Sequence, residues 1–362
     1  MPKICDLIAA KAAKNESWVS YEFYPPRTES GVANLEARLA RMRDTATPLF
    51  CDMTWGAGGS TSALTLALTV TMKQLGLEAN MHLTCTNVAR GDVTNALDQC
   101  KSNGICNIVA LRGDAPAGQD KWEATAGGFE CALDLVKFIR QEHGDFFCIS
   151  VAGYPEGHPD VITEVAEEAL TASEKTRCRR DVNASGKERV FVCRDAAFAV
   201  EIAYLKTKVD AGADLIITQM FFDVGVYSSF VSACRNAGIL VPIVPGLMLI
   251  QQHGGFKRMT AICKSRVPLA VNKRADAARD DDDALKAFGI DFGTEMCRDL
   301  LRCGAPGLHF YTLNLEKTTL AIIDRLSAAE ARERRNERLK HLAAAAAAAA
   351  ATFAILCKLL RR

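Results

Sequence analysis

The chain has 362 residues, of which 49% are apolar, and this is enough to bury one large core or two smaller ones. Its 44 Lys and Arg residues against 43 Asp and Glu give a net charge of +1, so no global basic field points to nucleic acid. The 14 cysteines include no C-x-x-C pair and no zinc-spaced His, which indicates reduced thiols and a cytoplasmic protein. Residues 1–16 form a separate N-terminal segment without the continuous apolar core of a secretory signal.

Strand-like and helix-like stretches alternate through the first half of the chain. Strands are predicted at Trp18–Phe23, Phe50–Thr54, His82–Thr84, Asn107–Leu111 and Phe146–Ala152, and helices at Gly31–Arg43, Leu64–Leu75, Asp92–Lys101 and Gly128–Gln141. The strand Asn107–Leu111 runs directly into Arg112-Gly113-Asp114. This abrupt change from apolar to polar residues fits an ordinary turn as well as it fits a binding site.

The second half continues the alternation. Strands are predicted at Asp214–Gln219, Val241–Pro245 and Leu308–Leu313, and a last helix runs through Leu326. The eight predicted strands favour an α/β protein with a (β/α)8 TIM barrel over residues 17–326. A doubly wound sheet would use the same alternation. However, the first strand–helix turn lacks G-x-G-x-x-G, and the GAGGS after the second strand is not that fingerprint.

Two segments interrupt this pattern. Residues 159–197 are rich in charge, and we expect an inserted surface loop, with phosphate contact by the basic cluster Arg177–Arg180 as an alternative. Residues 327–362 form a charged, Ala-rich tail that contains Ala343–Ala351. Its uncharged stretch Leu342–Cys357 is shorter than the roughly 20 residues that span a bilayer. We therefore expect a helical or disordered appendage rather than a membrane anchor.

Polar residues recur where the predicted strands end, and the C-terminal ends of barrel strands converge on one face. Glu22 lies inside a strand, where a carboxylate is costly unless it is protonated or paired with a barrel arginine, so a proton donor is one interpretation. Gln219 both donates and accepts, which suits the amide edge of a heterocycle. No metal-ligand spacing and no Ser–His–Asp order is present. These residues indicate a barrel enzyme with an organic cofactor.

Seven motifs make a family resemblance recognisable. SYEFYPPRTESG, MTWGAGG, HLTCTN, NIVALRGD, VAGYPEGHPD, LKTKVDAGADLIITQMFFD and HFYTLN occur in the order found in the methylenetetrahydrofolate reductase family, over about Val19–Leu326. The resemblance implies a barrel that binds FAD. It further implies that NADPH or NADH reduces the FAD, which then reduces 5,10-methylenetetrahydrofolate to 5-methyltetrahydrofolate. Small folate and nicotinamide molecules are the implied partners, nucleic acid is not expected, and a homo-oligomer is left open.

The resemblance also implies roles for individual residues. Glu22 matches the acid that protonates the folate bridge nitrogen, Asp114 matches a carboxylate beside flavin and pterin, and Gln219 matches a pterin contact. The positions that match FAD contacts are Thr54, Trp55, Ala57, His82, Leu111, Arg112, Gly113, Asp114, Ala132, Tyr154, His158 and Lys208. Among them, Lys208 would meet the phosphates.

Some features depart from the family pattern. Leu315 follows HFYTLN, where relatives commonly carry a substrate-contacting Arg, and Tyr204 and Thr207 replace polar residues often found near the cofactor. The charged insertion directly follows YPEGHP and would lie beside the FAD site. Eukaryotic relatives add a regulatory domain that binds S-adenosylmethionine. The 36 residues after the barrel are too few for such a domain, so we expect no such inhibition.

Two other functions compete with the reductase. A Schiff-base lyase would use Lys208 or Lys206 as its nucleophile, although Lys208 is predicted on a helix that precedes a strand, at the wrong end of a barrel. A barrel that has lost catalysis and serves as a tail-anchored scaffold would explain Leu315 and the unusual tail.

Overall fold

The computed structural model describes residues 2–56, 61–86, 88–113, 127–182, 185–329, 331–332 and 340–341. The strands are β1 (Val19–Phe23), β2 (Cys51–Met53), β3 (Ala79–Thr84), β4 (Asn107–Leu111), β5 (Cys148–Gly153), β6 (Ile162–Val165), β7 (Arg179–Val182), β8 (Glu188–Cys193), β9 (Leu215–Thr218), β10 (Ile243–Val244), β11 (Gly246–Met248) and β12 (Leu308–Tyr311). The helices are α1 (Ile4–Ala13), α2 (Glu29–Thr45), α3 (Ser62–Gln74), α4 (Arg90–Ser102), α5 (Ala132–His143), α6 (Ala172–Arg177), α7 (Asp195–Asp210), α8 (Val224–Asn236), α9 (His253–Ile262), α10 (Leu269–Ala277) and α11 (Asp282–Arg302), followed by a helix over 317–329. The alanine run of the tail lies outside the described residues.

Nine strands form one parallel sheet that curves into a barrel. Their order is β10-β9-β5-β4-β3-β2-β1-β12-β11, and each pairing is parallel. The strands at the two ends of this order, β10 and β11, are separated in the chain by Pro245 alone, so they share one position in the wall. Parallel strands joined through outer helices are the (β/α)8 arrangement. The predicted TIM barrel is therefore confirmed.

Side chains close the barrel where the backbone ladder is interrupted, at a junction that we call the barrel seam (Thr218, Pro245, Gly246 and Tyr311). The Gly246 N–H donates to Thr218 Oγ1 at 3.0 Å, and the Tyr311 hydroxyl donates to the Thr218 carbonyl at 2.6 Å. A Cβ at Gly246 would lie 2.2 Å from that carbonyl oxygen and 2.3 Å from the Tyr311 hydroxyl oxygen. The close approach of these strands therefore requires glycine.

The barrel strands and helices that were predicted differ from the observed ones mainly at their ends, whereas α9 and α10 have no counterpart in the prediction. The bounds of β4 are those predicted, whereas β3 begins before the predicted start at His82. The strand β11 is absent from the prediction, because its 3 residues directly follow Pro245 and begin with Gly246, which is typical of a turn.

The charged segment 159–197, expected to be a surface loop, contains an antiparallel sheet in which β8 lies between β6 and β7. Many of its charges pair within the segment: Arg180 lies 2.7 Å from Glu167, and Arg189 contacts Glu164 across β6 and β8. The arginines at the ends of the basic cluster Arg177–Arg180 both have carboxylate partners. High charge therefore reflects pairing between neighbouring strands rather than an unstructured loop.

Contacts of the insertion fix it against the barrel at the C-terminal end of α9. Arg179 donates to the Thr260 carbonyl at 2.9 Å, where the last carbonyls of this helix lack intrahelical partners. Lys264 donates to the carbonyls of Pro159 and Ile162 at 2.7 and 2.8 Å. The insertion is therefore attached on the face where the barrel strands end.

The N-terminal end of the barrel interior is apolar. Its buried side chains are Ile4, Ile8, Trp18, Phe50, Cys148, Leu215, Ile217 and Val244. The first two belong to α1, which closes this end of the barrel, and the Ile4 N–H donates to Asn107 Oδ1 at 2.8 Å. This layer is the packed core typical of the fold.

Among the described residues, no helix combines the length and the apolar character needed to cross a lipid bilayer.

Candidate active site

Four ionisable side chains meet inside the C-terminal half of the barrel. They are Glu22 on β1, Asp52 on β2, His82 on β3 and His309 on β12, and we call them the interior polar cluster. His82 Nε2 lies 3.1 Å from Asp52 Oδ2 and 3.5 Å from Glu22 Oε2. His309 Nε2 lies 3.7 Å from Glu22 Oε2 and 3.9 Å from Asp52 Oδ2. Both imidazoles therefore face both carboxylates.

Neighbouring side chains fix this cluster from the N-terminal side. Ser20 Oγ lies 2.8 Å from His309 Nδ1, and Asn80 Nδ2 donates to Asp52 Oδ1 at 3.0 Å. The side chains of Asp52 and His309 are fully buried, whereas 21% of the Glu22 side chain is exposed. Glu22 is therefore the carboxyl of the cluster that a ligand at the barrel mouth would meet.

The surroundings of His82 favour its charged form. Burial alone would lower the pKa of His82, but the hydrogen bond to Asp52 and the negative charges of Glu22 and Asp52 raise this pKa overall. A fully buried carboxylate such as Asp52 is costly without a charged partner. Among the groups of the cluster, His82 is the nearest to Asp52 that can become a cation.

The sequence analysis missed Asp52 and His309, along with their partners Ser20 and Asn80. Each lies within a short strand rather than at its polar end, and the packing of neighbouring strands brings them together. Glu22, Asp52 and His309 also offer ligand atoms within 4.8 Å of one another, which is close enough to hold a cation. Their spacing along the sequence matches no metal-binding motif. One Asp52 oxygen already accepts from His82.

A cavity of about 950 Å³ opens directly above the interior polar cluster, and we call it the mouth cavity. Polar groups of its wall include Glu22, His82 and Gln219, while Met220 and Met248 supply apolar surface. Such a mixture of apolar walls and a few convergent polar groups is typical of sites for planar organic ligands.

A second cavity of about 530 Å³, the side cavity, lies beside β4 and β5 and is lined by residues of α5 and α7. The two cavities share the wall residues Leu111, Arg112, Ala152, Tyr154, His158, Asp160 and Gln219. The two cavities therefore lie side by side, from the mouth of the barrel to the helices outside it.

The described candidate residues all line these two cavities. Glu22, Thr54 and His82 line the mouth cavity, Trp55, Gly113, Ala132 and Lys208 line the side cavity, and Leu111, Arg112, Tyr154, His158 and Gln219 line both. Asp114 and Ala57 lie outside the described residues. The structure thus gathers these positions at one face, and their roles remain predictions.

Several groups of the side cavity fit a polar, anionic ligand. The buried Trp55 Nε1 and Thr84 Oγ1 have no hydrogen-bond partner among the described residues. Lys208 Nζ donates to the Ala152 carbonyl at 3.1 Å, and burial lowers the pKa of Lys208 to about 8. An anion beside this ammonium would offset the cost of its burial. Gly113 has φ +90°, and a Cβ there would meet Thr86 Oγ1 at 2.7 Å.

His158 lies where the two cavities meet and is held in one orientation. Its Nδ1 accepts from the Asp160 N–H at 3.2 Å, which leaves Nε2 as the donor of the neutral ring. Burial is the main cause that lowers the pKa of His158. The neutral ring also contacts Tyr154, edge to face, at 4.7 Å between ring centroids.

Comparison with known proteins decides the family. A family model described as methylenetetrahydrofolate reductase matches residues 7–327. The chain belongs to the methylenetetrahydrofolate reductase family. The Escherichia coli 5,10-methylenetetrahydrofolate reductase is 33% identical over 312 residues, which cover 85% of this chain and 90% of that protein. The sequence-based resemblance is therefore confirmed.

Longer members of the methylenetetrahydrofolate reductase family are also similar. A rice protein named probable methylenetetrahydrofolate reductase (NADH) is 46% identical over 91% of this chain, and a Caenorhabditis elegans protein named probable methylenetetrahydrofolate reductase (NADPH) is 32% identical over 86% of it. These alignments cover 51% and 42% of the relatives. The chain thus spans about half the length of these curated relatives or less.

One solved structure supports the fold alone. An uncharacterised Clostridium thermocellum protein, which binds two copies of 5-methyl-5,6,7,8-tetrahydrofolic acid, superposes with a TM-score of 0.51 at 13% identity. The match covers 87% of this chain and 96% of that protein.

The departures from the family pattern lie at different places. Tyr204 lines the side cavity, and Lys208 Nζ lies 5.1 Å from the centroid of its ring. Thr207 is exposed, and its hydroxyl donates to the Tyr204 carbonyl. Leu315 is 39% exposed and is not among the residues that line the mouth cavity.

Proposed function

We propose that this chain reduces 5,10-methylenetetrahydrofolate to 5-methyltetrahydrofolate with electrons from NADPH or NADH, carried by a bound FAD. The observation that carries the proposal is the position of Glu22. It is the accessible carboxyl of an otherwise buried polar cluster, and it faces a cavity large enough for planar ligands. Family membership supplies the reaction, and this geometry supplies an acid suited to it.

The two connected cavities fit FAD. An elongated cofactor would place its ring system in the mouth cavity and its phosphates in the side cavity, toward Arg112 and Lys208. The Trp55 indole N–H and the Thr84 hydroxyl would find acceptors on it. A bound flavin supplies hydride transfer in both directions, first from the nicotinamide and then to the folate.

The protein residues supply orientation and a proton. Gln219, at the wall that both cavities share, would donate to and accept from the amide edge of the pterin. Glu22 would give its proton to the bridge nitrogen of the folate, which opens the five-membered ring and leaves an iminium that accepts hydride. The carboxylate of Asp114 keeps the role beside flavin and pterin that the resemblance assigns to it.

Both substrates would use the same mouth cavity in turn, which gives a ping-pong reaction. The nicotinamide product would leave before the folate enters, because both would occupy the mouth cavity. The relatives named above include NADH and NADPH forms, so both reductants are candidates here.

The test begins with the colour of the purified protein. We expect a yellow protein, or one that becomes yellow with FAD, whose absorbance near the visible flavin band is bleached by NADH or NADPH without oxygen. Adding methylenetetrahydrofolate should restore the band and yield 5-methyltetrahydrofolate. Measuring bleaching with each nicotinamide over a range of concentrations identifies the reductant.

Two results would contradict the proposal. A protein that cannot be reconstituted with FAD would exclude the reductase. Covalent trapping of a carbonyl substrate on Lys208 by borohydride would favour the Schiff-base lyase, because the depressed pKa of about 8 makes this amine a competent nucleophile. The side cavity, rather than the barrel interior, contains that amine, and this favours a phosphate contact instead.

A further inference from the structure

We propose that Asp52 is a positioning residue for the acid Glu22, acting through His82. The inference rests on the proposed function and names a residue outside the positions that the family motifs assigned. The Asp52 side chain is fully buried, and its two carboxylate oxygens accept hydrogen bonds from Asn80 and His82. It acts by holding the imidazole of His82 as a cation whose Nε2, hydrogen-bonded to Asp52, lies 3.5 Å from Glu22 Oε2.

Two hydrogen bonds fix the position of the Asp52 carboxylate. Its two oxygens have separate donors: Asn80 Nδ2 lies 3.0 Å from Oδ1, and His82 Nε2 lies 3.1 Å from Oδ2. Both donors come from β3, the strand paired with β2, and are two residues apart on it. This arrangement fixes the ring of His82 relative to the Asp52 carboxylate.

The charge of His82 links Asp52 to Glu22. A buried carboxylate needs a cationic partner, and His82 is the group in hydrogen-bond contact with Asp52 that can become one. The proposed reaction begins with a proton on Glu22. When Glu22 gives that proton to the folate, a carboxylate forms 3.5 Å from His82 Nε2. The imidazolium then stabilises the charge that develops in the transition state.

Several ionisable groups surround the imidazole of His82. Among the described residues, the ionisable groups that face the cluster are Glu22 on β1, Asp52 on β2, and His309 and Tyr311 on β12. Asp52 is the nearest of them to His82, and its Oδ2 accepts the hydrogen bond from His82 Nε2. Its hydrogen bond and charge oppose the effect of burial and raise the pKa of His82, which supports the geometric argument.

The experiment compares Asp52→Asn with Ser150→Ala. Ser150 is fully buried in the same barrel interior, and its hydroxyl lies 3.5 Å from Asn80 Nδ2, away from Glu22. We expect Asp52→Asn to slow flavin reoxidation by methylenetetrahydrofolate by about 10- to 100-fold relative to flavin reduction by NAD(P)H, as for loss of a charged hydrogen bond. We expect Ser150→Ala to leave this ratio within about twofold of wild type.

The pH profile separates positioning from a structural effect. In the wild type, reoxidation should slow as pH rises through the pKa of His82. Without the Asp52 charge this pKa falls, so the decline should move to lower pH in Asp52→Asn. An unchanged profile, or an equal loss in both half-reactions, would overturn the inference.

A measurement on the wild type keeps the test valid if Asp52→Asn does not fold. Histidine-selective NMR of the holoenzyme, with the His82 signal assigned from His82→Gln, should show His82 titrating above the ordinary value of roughly 6.5. Titration at or below that value would refute the role of Asp52. Failure of the proposed function is recognised separately, because wild-type protein would then not reoxidise its reduced flavin with methylenetetrahydrofolate.

Discussion

The two ends of the barrel interior differ in the polarity of their buried side chains. Toward the N-termini of the strands, α1 covers a layer of buried side chains that includes Trp18, Phe50 and Leu215. Toward the C-termini, the interior polar cluster places two carboxylates and two imidazoles within 4 Å contacts. Apolar burial stabilises the fold, whereas buried ionisable groups cost stability unless they are paired. The first end should therefore carry stability and the second should carry chemistry.

Removing the acid should show the largest effect and act at the polar end alone. In Glu22→Gln we expect flavin reoxidation by methylenetetrahydrofolate to fall by about 10³-fold or more, the range of a lost general acid. Flavin reduction by NAD(P)H needs no proton from Glu22 and should continue at a rate near that of wild type. Stopped-flow absorbance measures both half-reactions in one preparation. Normal rates in both would show that Glu22 is not the acid.

A cavity at the apolar end should affect stability and leave the chemistry unchanged. Ile8 on α1 is 3% exposed, and Ile8→Ala should lower the free energy of unfolding by about 3 kcal/mol, as large-to-small core substitutions do. The ratio of the two half-reaction rates should be that of wild type. Urea unfolding measures the loss, with the exposed Lys14→Ala on the same side of the molecule as the control. Loss of folate reduction in Ile8→Ala would contradict the division between the two ends.

Neutralising a buried acid at the polar end should make stability less dependent on pH. Glu156, a wall residue of the mouth cavity, accepts from the Arg266 N–H at 2.7 Å through Oε2, and its Oε1 has no hydrogen-bond partner among the described residues. Burial is the main cause that raises the pKa of Glu156 to about 8. Between its ordinary value of 4.5 and 8, the folded protein binds more protons than the unfolded chain, so stability falls as pH rises.

The comparison of Glu156→Gln with wild type isolates this effect. The difference in unfolding free energy, variant minus wild type, should increase by roughly 3 kcal/mol between pH 5 and pH 8. This difference cancels any constant cost of the new amide. Glu168→Gln, at an exposed position of the insertion, should show no such change. A difference that stays flat with pH would mean that Glu156 is already ionised in the folded protein.

The sequence predicted the barrel well because its strands are short apolar runs between polar ends. Asn107–Leu111 shows why: a strand covered on both faces needs no period, and its bounds follow from the residues that interrupt it. The insertion was harder. Its charges suggested a loop, yet Arg180 and Arg189 have carboxylate partners on neighbouring segments, and such pairing depends on the register of strands that pair only after folding.

The candidate site was predictable in part for a related reason. Motifs such as YEF and LRGD marked Glu22 and Arg112, and both line the mouth cavity. Asp52 and His309 belong to no site in the linear sequence, since 257 positions separate them and their atoms approach to 3.9 Å only across a closed barrel. Local patterns identify residues that end strands, whereas polar residues within strands become meaningful only through their partners.

The barrel seam links completion of the wall to creation of the site. The hydroxyl that closes it belongs to Tyr311, which is also a wall residue of the mouth cavity. Until the Tyr311 hydroxyl donates to the Thr218 carbonyl, the wall of the mouth cavity is therefore incomplete. A ligand that binds only the closed barrel, such as the proposed cofactor, would therefore stabilise the closed barrel against unfolding.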